Sequence, residues 1–262
     1  MDFPNKFGEN FDSREPPKVK RNKQRILVKE LKRSKENLRE GVVVLSKGKN
    51  FIVESEDNGQ RKLTECVLSG SVEVKHPHKI LVTIGDNVFF VPPQIGKDGR
   101  VFGRIVYVSE RSSFLMRKSI LGNYEDIIAS NMQQVVVTLS ADNPKYNLRM
   151  LDRILIASEY GNLETIICVN KIDLVNPNAI QKDFSIYRPL GYRVIFVSAL
   201  EDIDLDKLAE NIEGKTTLFA GVSGVGKSTL INKLLGTEVQ KVSDITKSRR
   251  GRHTTTSARL LH

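Results

Sequence analysis

The run Gly221-Val222-Ser223-Gly224-Val225-Gly226-Lys227-Ser228-Thr229 satisfies G-x-x-x-x-G-K-[ST] in full. It follows the apolar stretch Leu218-Phe219-Ala220 and opens a helical one, Leu230 to Leu235. That strand–loop–helix setting is what a phosphate-cradling loop demands. The glycines let backbone N–H groups turn inward at the positive end of a helix, where phosphate oxygens are favoured. Lys227 is expected to reach the β- and γ-phosphates, and Ser228 to ligate Mg²⁺. A Gly-rich turn with an exposed lysine is the bland alternative, and the context argues against it.

A second set reads a base. Asn170-Lys171-Ile172-Asp173 ends the apolar run Ile166-Ile167-Cys168-Val169. Guanine presents two adjacent donors on its Watson–Crick edge, and one carboxylate accepts both, a geometry adenine cannot offer. Asp173 is expected to do this, with Asn170 and Lys171 bracing the loop and packing on the base. Ser198-Ala199-Leu200 ends Val194-Ile195-Phe196-Val197 and fits a further contact, the Ala199 N–H meeting the base oxygen. N-K-x-D alone is an ordinary strand-end turn; beside the phosphate loop it implies GTP or GDP. An ATP-using enzyme with a fortuitous N-K-I-D is a rival, separable by competition between GTP and ATP.

These loops need a frame. From Gln134 onward, apolar runs at Gln134–Leu139, Thr165–Val169, Val194–Val197 and Thr217–Ala220 alternate with helical stretches such as Leu148–Tyr160. The pattern predicts a mostly parallel, doubly wound α/β sheet, with ligands at the carboxyl ends of its strands. Every motif above falls at such an end. Before it, Gly41–Leu45, Phe51–Val53, Lys79–Val82, Asn87–Val91 and Arg104–Val108 read as short strands, with turn signals at Asp57-Asn58-Gly59, Gly85-Asp86 and Lys97-Asp98-Gly99. They predict a small all-β barrel of the OB type, though an SH3-like barrel would show much the same spacing. The expected division is an arm over 1–40, a barrel over 41–117 and a nucleotide-binding domain over 118–262.

Composition narrows the class. The 262 residues are 39% hydrophobic and 27% charged, as in globular proteins. No apolar run approaches the ~18 residues of a membrane span, and the amino terminus reads as neither a secretory nor a transit signal. A cytoplasmic, monomeric protein is expected. Cys66 and Cys168 are too few and too far apart for a disulfide framework or a cysteine-based zinc site. The net charge is +10, and Lys18–Glu40 carries ten basic residues against three acidic ones. Such a stretch is a solubilising tail or an arm that neutralises nucleic-acid phosphates.

The order of the motifs is unusual, because Asn170 precedes Gly221 by 51 residues where most GTPases place the phosphate loop first. A compact domain with neighbouring termini tolerates such permutation. The order N-K-I-D, S-A-L, G-V-S-G-V-G-K-S-T, then Gly251-Arg252-His253-Thr254-Thr255-Thr256, resembles the circularly permuted RsgA (YjeQ) family. Gly41-Val42-Val43, Gly85-Asp86-Asn87-Val88, Glu110-Arg111-Ser112-Ser113 and Leu151-Asp152-Arg153 are also similar to that family. The resemblance covers about Gly41 to His262. It implies a ribosome-stimulated GTP hydrolase acting in late maturation of the small ribosomal subunit, its OB barrel and basic arm contacting ribosomal RNA. It also implies that Thr255 ligates Mg²⁺ with Ser228 and that His253 positions the attacking water.

One feature departs from the family. No aspartate of the chain is followed three places later by glycine, so the D-x-x-G loop is missing. The family carries that loop and a zinc-binding domain further on, and no zinc site is expected within these residues. The expectation is a chain truncated before both, with impaired hydrolysis. A nucleotide-gated RNA-binding module with little or no hydrolysis is therefore the alternative.

The arm gives the first prediction. Removing residues 1–40 should weaken binding to small ribosomal subunits and flatten its dependence on salt, while leaving nucleotide affinity unchanged. Filter binding across a salt series reads both, and an unaltered slope would reduce the arm to a solubiliser.

Overall fold

The computed structural model describes residues 38–73, 82–95, 101–118 and 125–236. The arm up to residue 37, His253 and Thr255 lie outside the described residues.

Five strands close into a barrel: β1 (Arg39–Lys47), β2 (Asn50–Asp57), β3 (Gln60–Glu73), β4 (Asn87–Ile95) and β5 (Val101–Val108). Their order is β1-β2-β3-β5-β4, and β1 pairs back onto β4. The β3/β5 pair is parallel, which a simple up-and-down meander cannot produce. This is the OB arrangement. Alternate residues of β2 turn inward, so Phe51 and Val53 meet Val43, Cys66, Val88, Phe90 and Ile105 in one core.

Two expectations differ here. The long strand β3 lies on residues not read as a strand, because Gln60-Arg61-Lys62 opens it and few of its positions are apolar. Its inward residues Thr64 and Cys66 are small. Of the strand expected over Lys79–Val82, residues 79–81 lie outside the described residues and Val82 belongs to no strand.

A hairpin follows the barrel: β6 (Phe114–Lys118) and β7 (Glu125–Ser130). The sequence pattern does not signal it, and it straddles the division expected between residues 117 and 118. Its apolar side, Leu115 and Ala129, joins the core formed by Leu151 and Leu155 of α1 (Leu148–Tyr160). The hairpin thus packs with the sheet domain.

That domain is a parallel sheet in the order β10-β9-β8-β11, built from β8 (Gln134–Ser140), β9 (Glu164–Asn170), β10 (Arg193–Phe196) and β11 (Thr217–Ala220). Every residue of β8 is buried. Val135, Val137 and Leu139 face α1 and α2 (Pro177–Phe184), while Val136 faces the other core, with Leu208 of α3 (Leu205–Ile212) and Leu230 of α4 (Lys227–Leu235). Both faces are covered, which explains the near-continuous apolar runs. Helix α1 begins where Asn147 Oδ1 accepts the Met150 N–H at 3.1 Å, an N-cap that satisfies an orphan donor.

Barrel and sheet domain meet at Asp86. Its buried carboxylate accepts from Arg111 Nε (2.7 Å) and Nη2 (2.8 Å), from Ser130 Oγ (2.6 Å) and from the Thr83 N–H (2.8 Å). The Arg111 side chain is 1% exposed. The four donors come from the loop before β4, the segment after β5 and the end of β7. Removing one partner of such a pair strands a charge in the interior. Arg111→Ala should therefore lower stability by about 3–5 kcal/mol, whereas Asp86→Asn combined with Arg111→Met should cost less. Urea unfolding of the three proteins checks this; equal losses for the single and double variants would show that the pair is not the joint.

Candidate functional site

The four parallel strands deliver their loops to one edge. The switch point lies between β8 and β11, because the chain runs outward through β9 and β10 and returns on the other side of β8. Open α/β sheets bind ligands at such a point.

The phosphate loop joins β11 to α4. Gly226 precedes the helix at φ 93°, and a Cβ there would lie 2.3 Å from Asn170 Nδ2. Gly221, at φ 152°, approaches β8 so closely that a Cβ would stand 2.2 Å from the Thr138 carbonyl oxygen. Both positions therefore require glycine. Val222, Ser223 and Gly224 are exposed, and Val225 is buried beneath them. Lys227 Nζ donates to the Gly221 (3.0 Å) and Val222 (2.8 Å) carbonyls, which holds the ammonium across the loop. Ser228 and Thr229 are exposed in the first turn of α4, where their hydroxyls suit a divalent cation and its phosphate ligand.

Asn170 ties this loop to the base-reading loops. Its Nδ2 donates to the Val225 carbonyl at 2.9 Å, and its Oδ1 accepts the Ala199 N–H at 3.1 Å. Its own carbonyl accepts the Ala141 N–H at 2.8 Å. Asp173 stands exposed in the short 3₁₀ turn Ile172–Leu174. Buried Ser198 donates its hydroxyl to Asp173 Oδ1 at 2.5 Å and accepts the Glu201 N–H at 3.1 Å. The carboxylate is thus aimed by a neighbour that is itself fixed.

The Ala199 N–H, expected to meet the base oxygen, donates here to Asn170 Oδ1 at 3.1 Å. Lys171 takes a left-handed conformation (φ 63°) and its Nζ donates to the Asn143 carbonyl at 2.5 Å.

Two contributors carried no sequence signal. The loop after β8 supplies Asn143 to Lys171, and Pro144 Cδ would lie 3.5 Å from a Cβ at Gly224. Asp202 accepts from Lys233 Nζ at 2.7 and 2.9 Å, joining the S-A-L loop to α4. The cysteines stay outside the chemistry: burial pushes the thiols of Cys66 and Cys168 up to about 12, so neither is a thiolate at neutral pH. Among the described residues no group of acidic, histidine or cysteine side chains is placed to hold a metal. No described helix is long and apolar enough to cross a membrane.

Known proteins resemble this chain in sequence and in fold. A family model described as RsgA GTPase matches residues 108–262. A small ribosomal subunit biogenesis GTPase RsgA of Chlorobaculum parvum is 36% identical over 224 residues, covering 83% of this chain and 71% of the relative. Its counterpart from Chlorobaculum tepidum is 35% identical over the same shares. Among solved structures, YjeQ from Thermotoga maritima superposes with a TM-score of 0.54 at 27% identity, over 75% of this chain. YloQ, described as a circularly permuted GTPase, gives 0.51 at 27% identity, over 77% of this chain. The chain spans 65% of the length of each of these two solved chains.

Asn170→Ala would leave the Val225 carbonyl and the Ala199 N–H without their partner, at about 1–3 kcal/mol for each orphaned group. GDP affinity should fall at least about tenfold, with little change in the melting of the barrel. Titration with a fluorescent GDP analogue checks it, and unchanged affinity would show that the amide is dispensable.

Proposed function

Because the chain belongs to the RsgA GTPase family, we propose that it binds GTP and hydrolyses it during biogenesis of the small ribosomal subunit. The observation that carries this reading is the Asn170 side chain, which joins the phosphate loop at Val225 to the base-reading loop at Ala199. Phosphate recognition and base recognition are thereby one site. The names of the curated relatives supply the process.

In this reading the N–H groups of Gly221–Thr229 hold the phosphates and Lys227 neutralises their charge. Ser228 would ligate Mg²⁺, with Thr255 as a second protein ligand, and the ion when bound would supply positive charge to the phosphates. His253 orients the attacking water. Asp173 accepts the two guanine donors, held in place by Ser198, while Lys171 flanks the base. The OB barrel and the basic arm contact ribosomal RNA, and the protein works as a monomer in the cytoplasm.

Base specificity provides the test. GDP should bind far more tightly than ADP, since only guanine pairs two donors with the Asp173 carboxylate. Asp173→Asn replaces one acceptor with a donor, so it should weaken GDP and favour xanthosine diphosphate, whose edge carries an acceptor there. Competition titrations with the three nucleotides read the switch. Equal affinity of the unmodified protein for ADP and GDP would sink the guanine assignment.

A further inference from the structure

The loop after β8, residues 141–147, touches both halves of the nucleotide edge. Asn143 gives its carbonyl to Lys171 Nζ at 2.5 Å, and Pro144 lies beside Gly224 of the phosphate loop. Asp142, Asn143, Pro144 and Lys145 are all exposed, so core packing does not fix them. The loop is held at its two ends instead. At one, the Ala141 N–H donates to the Asn170 carbonyl at 2.8 Å. At the other stands Tyr146.

The Tyr146 ring is half-buried against the core, its centroid 4.9 Å from that of Phe184. Its hydroxyl donates to Asp183 Oδ2 at 2.5 Å. Burial, and then the Asp183 carboxylate beside it, pushes that hydroxyl up to about 12, so at neutral pH it keeps its proton and is the donor. Ile180 and Phe184 are buried, which anchors the end of α2 that receives Tyr146. In the chain, α2 follows the N-K-I-D turn. Tyr146 therefore fastens the loop after β8 to the helix that continues from the base-reading loop.

This fastening bears on a lysine. Lys171 has its backbone set in a left-handed turn (φ 63°) and its ammonium set on Asn143. A lysine stem held at both ends offers a planar base a fixed apolar flank, and little side-chain freedom is left to lose on binding. An ammonium on an exposed loop carbonyl is held only as firmly as the loop itself.

We infer that Tyr146 is a positioning residue for guanine-nucleotide binding: its bond to Asp183 holds Asn143 where the carbonyl keeps Lys171 alongside the base. The inference deepens the guanine reading and rests on it. Tyr146 acts through Asn143 and Lys171, not on the nucleotide.

The test is the rate at which a fluorescent GDP analogue leaves the full chain when chased with excess GDP. Tyr146→Phe removes the hydroxyl and keeps the ring on Phe184, so the fold should be retained, as circular dichroism reads. Release should quicken about threefold to tenfold, the effect of losing one charge-assisted hydrogen bond near the surface. Asp183→Ala should give the same change, and the double variant no more than either alone. Lys171→Met supplies the discriminating background: with the ammonium gone, Tyr146→Phe should add less than about twofold. A tyrosine that merely supports the fold would quicken release equally in both backgrounds. That result would overturn the inference, as would an unchanged rate in Tyr146→Phe alone. A chain that retains no GDP at all would remove the guanine reading itself, and this inference with it.

Discussion

A single carboxamide sets the geometry of the nucleotide site. Asn170 carries an NH₂ donor and a carbonyl acceptor on the same rigid group, and the structure uses both ends at once: Nδ2 on the Val225 carbonyl, Oδ1 on the Ala199 N–H. An aspartate would turn an acceptor toward the Val225 carbonyl, and a leucine would leave both backbone groups unpaired. The same amide explains Gly226, since any Cβ there would collide with Nδ2. Two motifs that look independent in the sequence, N-K-x-D and the last glycine of the phosphate loop, therefore express one steric and hydrogen-bonding constraint. Asp173 and Ser198 are organised around it, because Ser198 adjoins Ala199 and Asp173 lies three residues beyond Asn170.

The legible parts of the sequence were those where burial is symmetrical or chemistry is local. β8 reads as a strand because both faces are covered, so Val135, Val136 and Val137 are all apolar. α1 is legible because Leu151 and Leu155 recur at helical spacing. β3 is not, because an edge-to-edge strand in a small barrel needs only a few inward residues, and here two of them are Thr64 and Cys66. The β6–β7 hairpin fails to show for a similar reason. Its buried residues Leu115, Ile127 and Ala129 are too few to make a period, and Glu125-Asp126 heads the second strand.

Within the site, side-chain types carry an expectation of chemistry, whereas backbone commitments carry none. Asp173 and Lys227 announce their chemistry by residue type. The Ala199 N–H has no such signal, because every residue but proline carries one, and only the fold reveals that Asn170 engages it. Asp86 is a comparable case at the joint. In Gly85-Asp86-Asn87 it looks like a turn residue, yet its carboxylate collects donors from Thr83, Arg111 and Ser130. What sequence shows as a turn former is structurally the acceptor that fixes one domain against another.

The permuted order of the chain leaves the nucleotide edge of the sheet intact and relocates the attachment of the barrel. Parallel pairing places all three motif-bearing loops at the carboxyl ends of their strands, whichever strand comes first. The barrel enters at the other end. Ser130, which donates to Asp86, stands just before Gln134 at the amino end of β8, while Ser140 at its carboxyl end leads to Ala141, whose N–H meets the Asn170 carbonyl. At about 3.3 Å per residue, the seven residues of β8 separate joint and site by about 20 Å. A strand buried along its whole length is the stiffest element available to span that distance, since close-packed interiors transmit position rather than deform. The barrel is therefore held in a set orientation to the nucleotide edge. A surface that engages both domains together would meet them as one body, with the Asp86–Arg111 pair bearing the load between them.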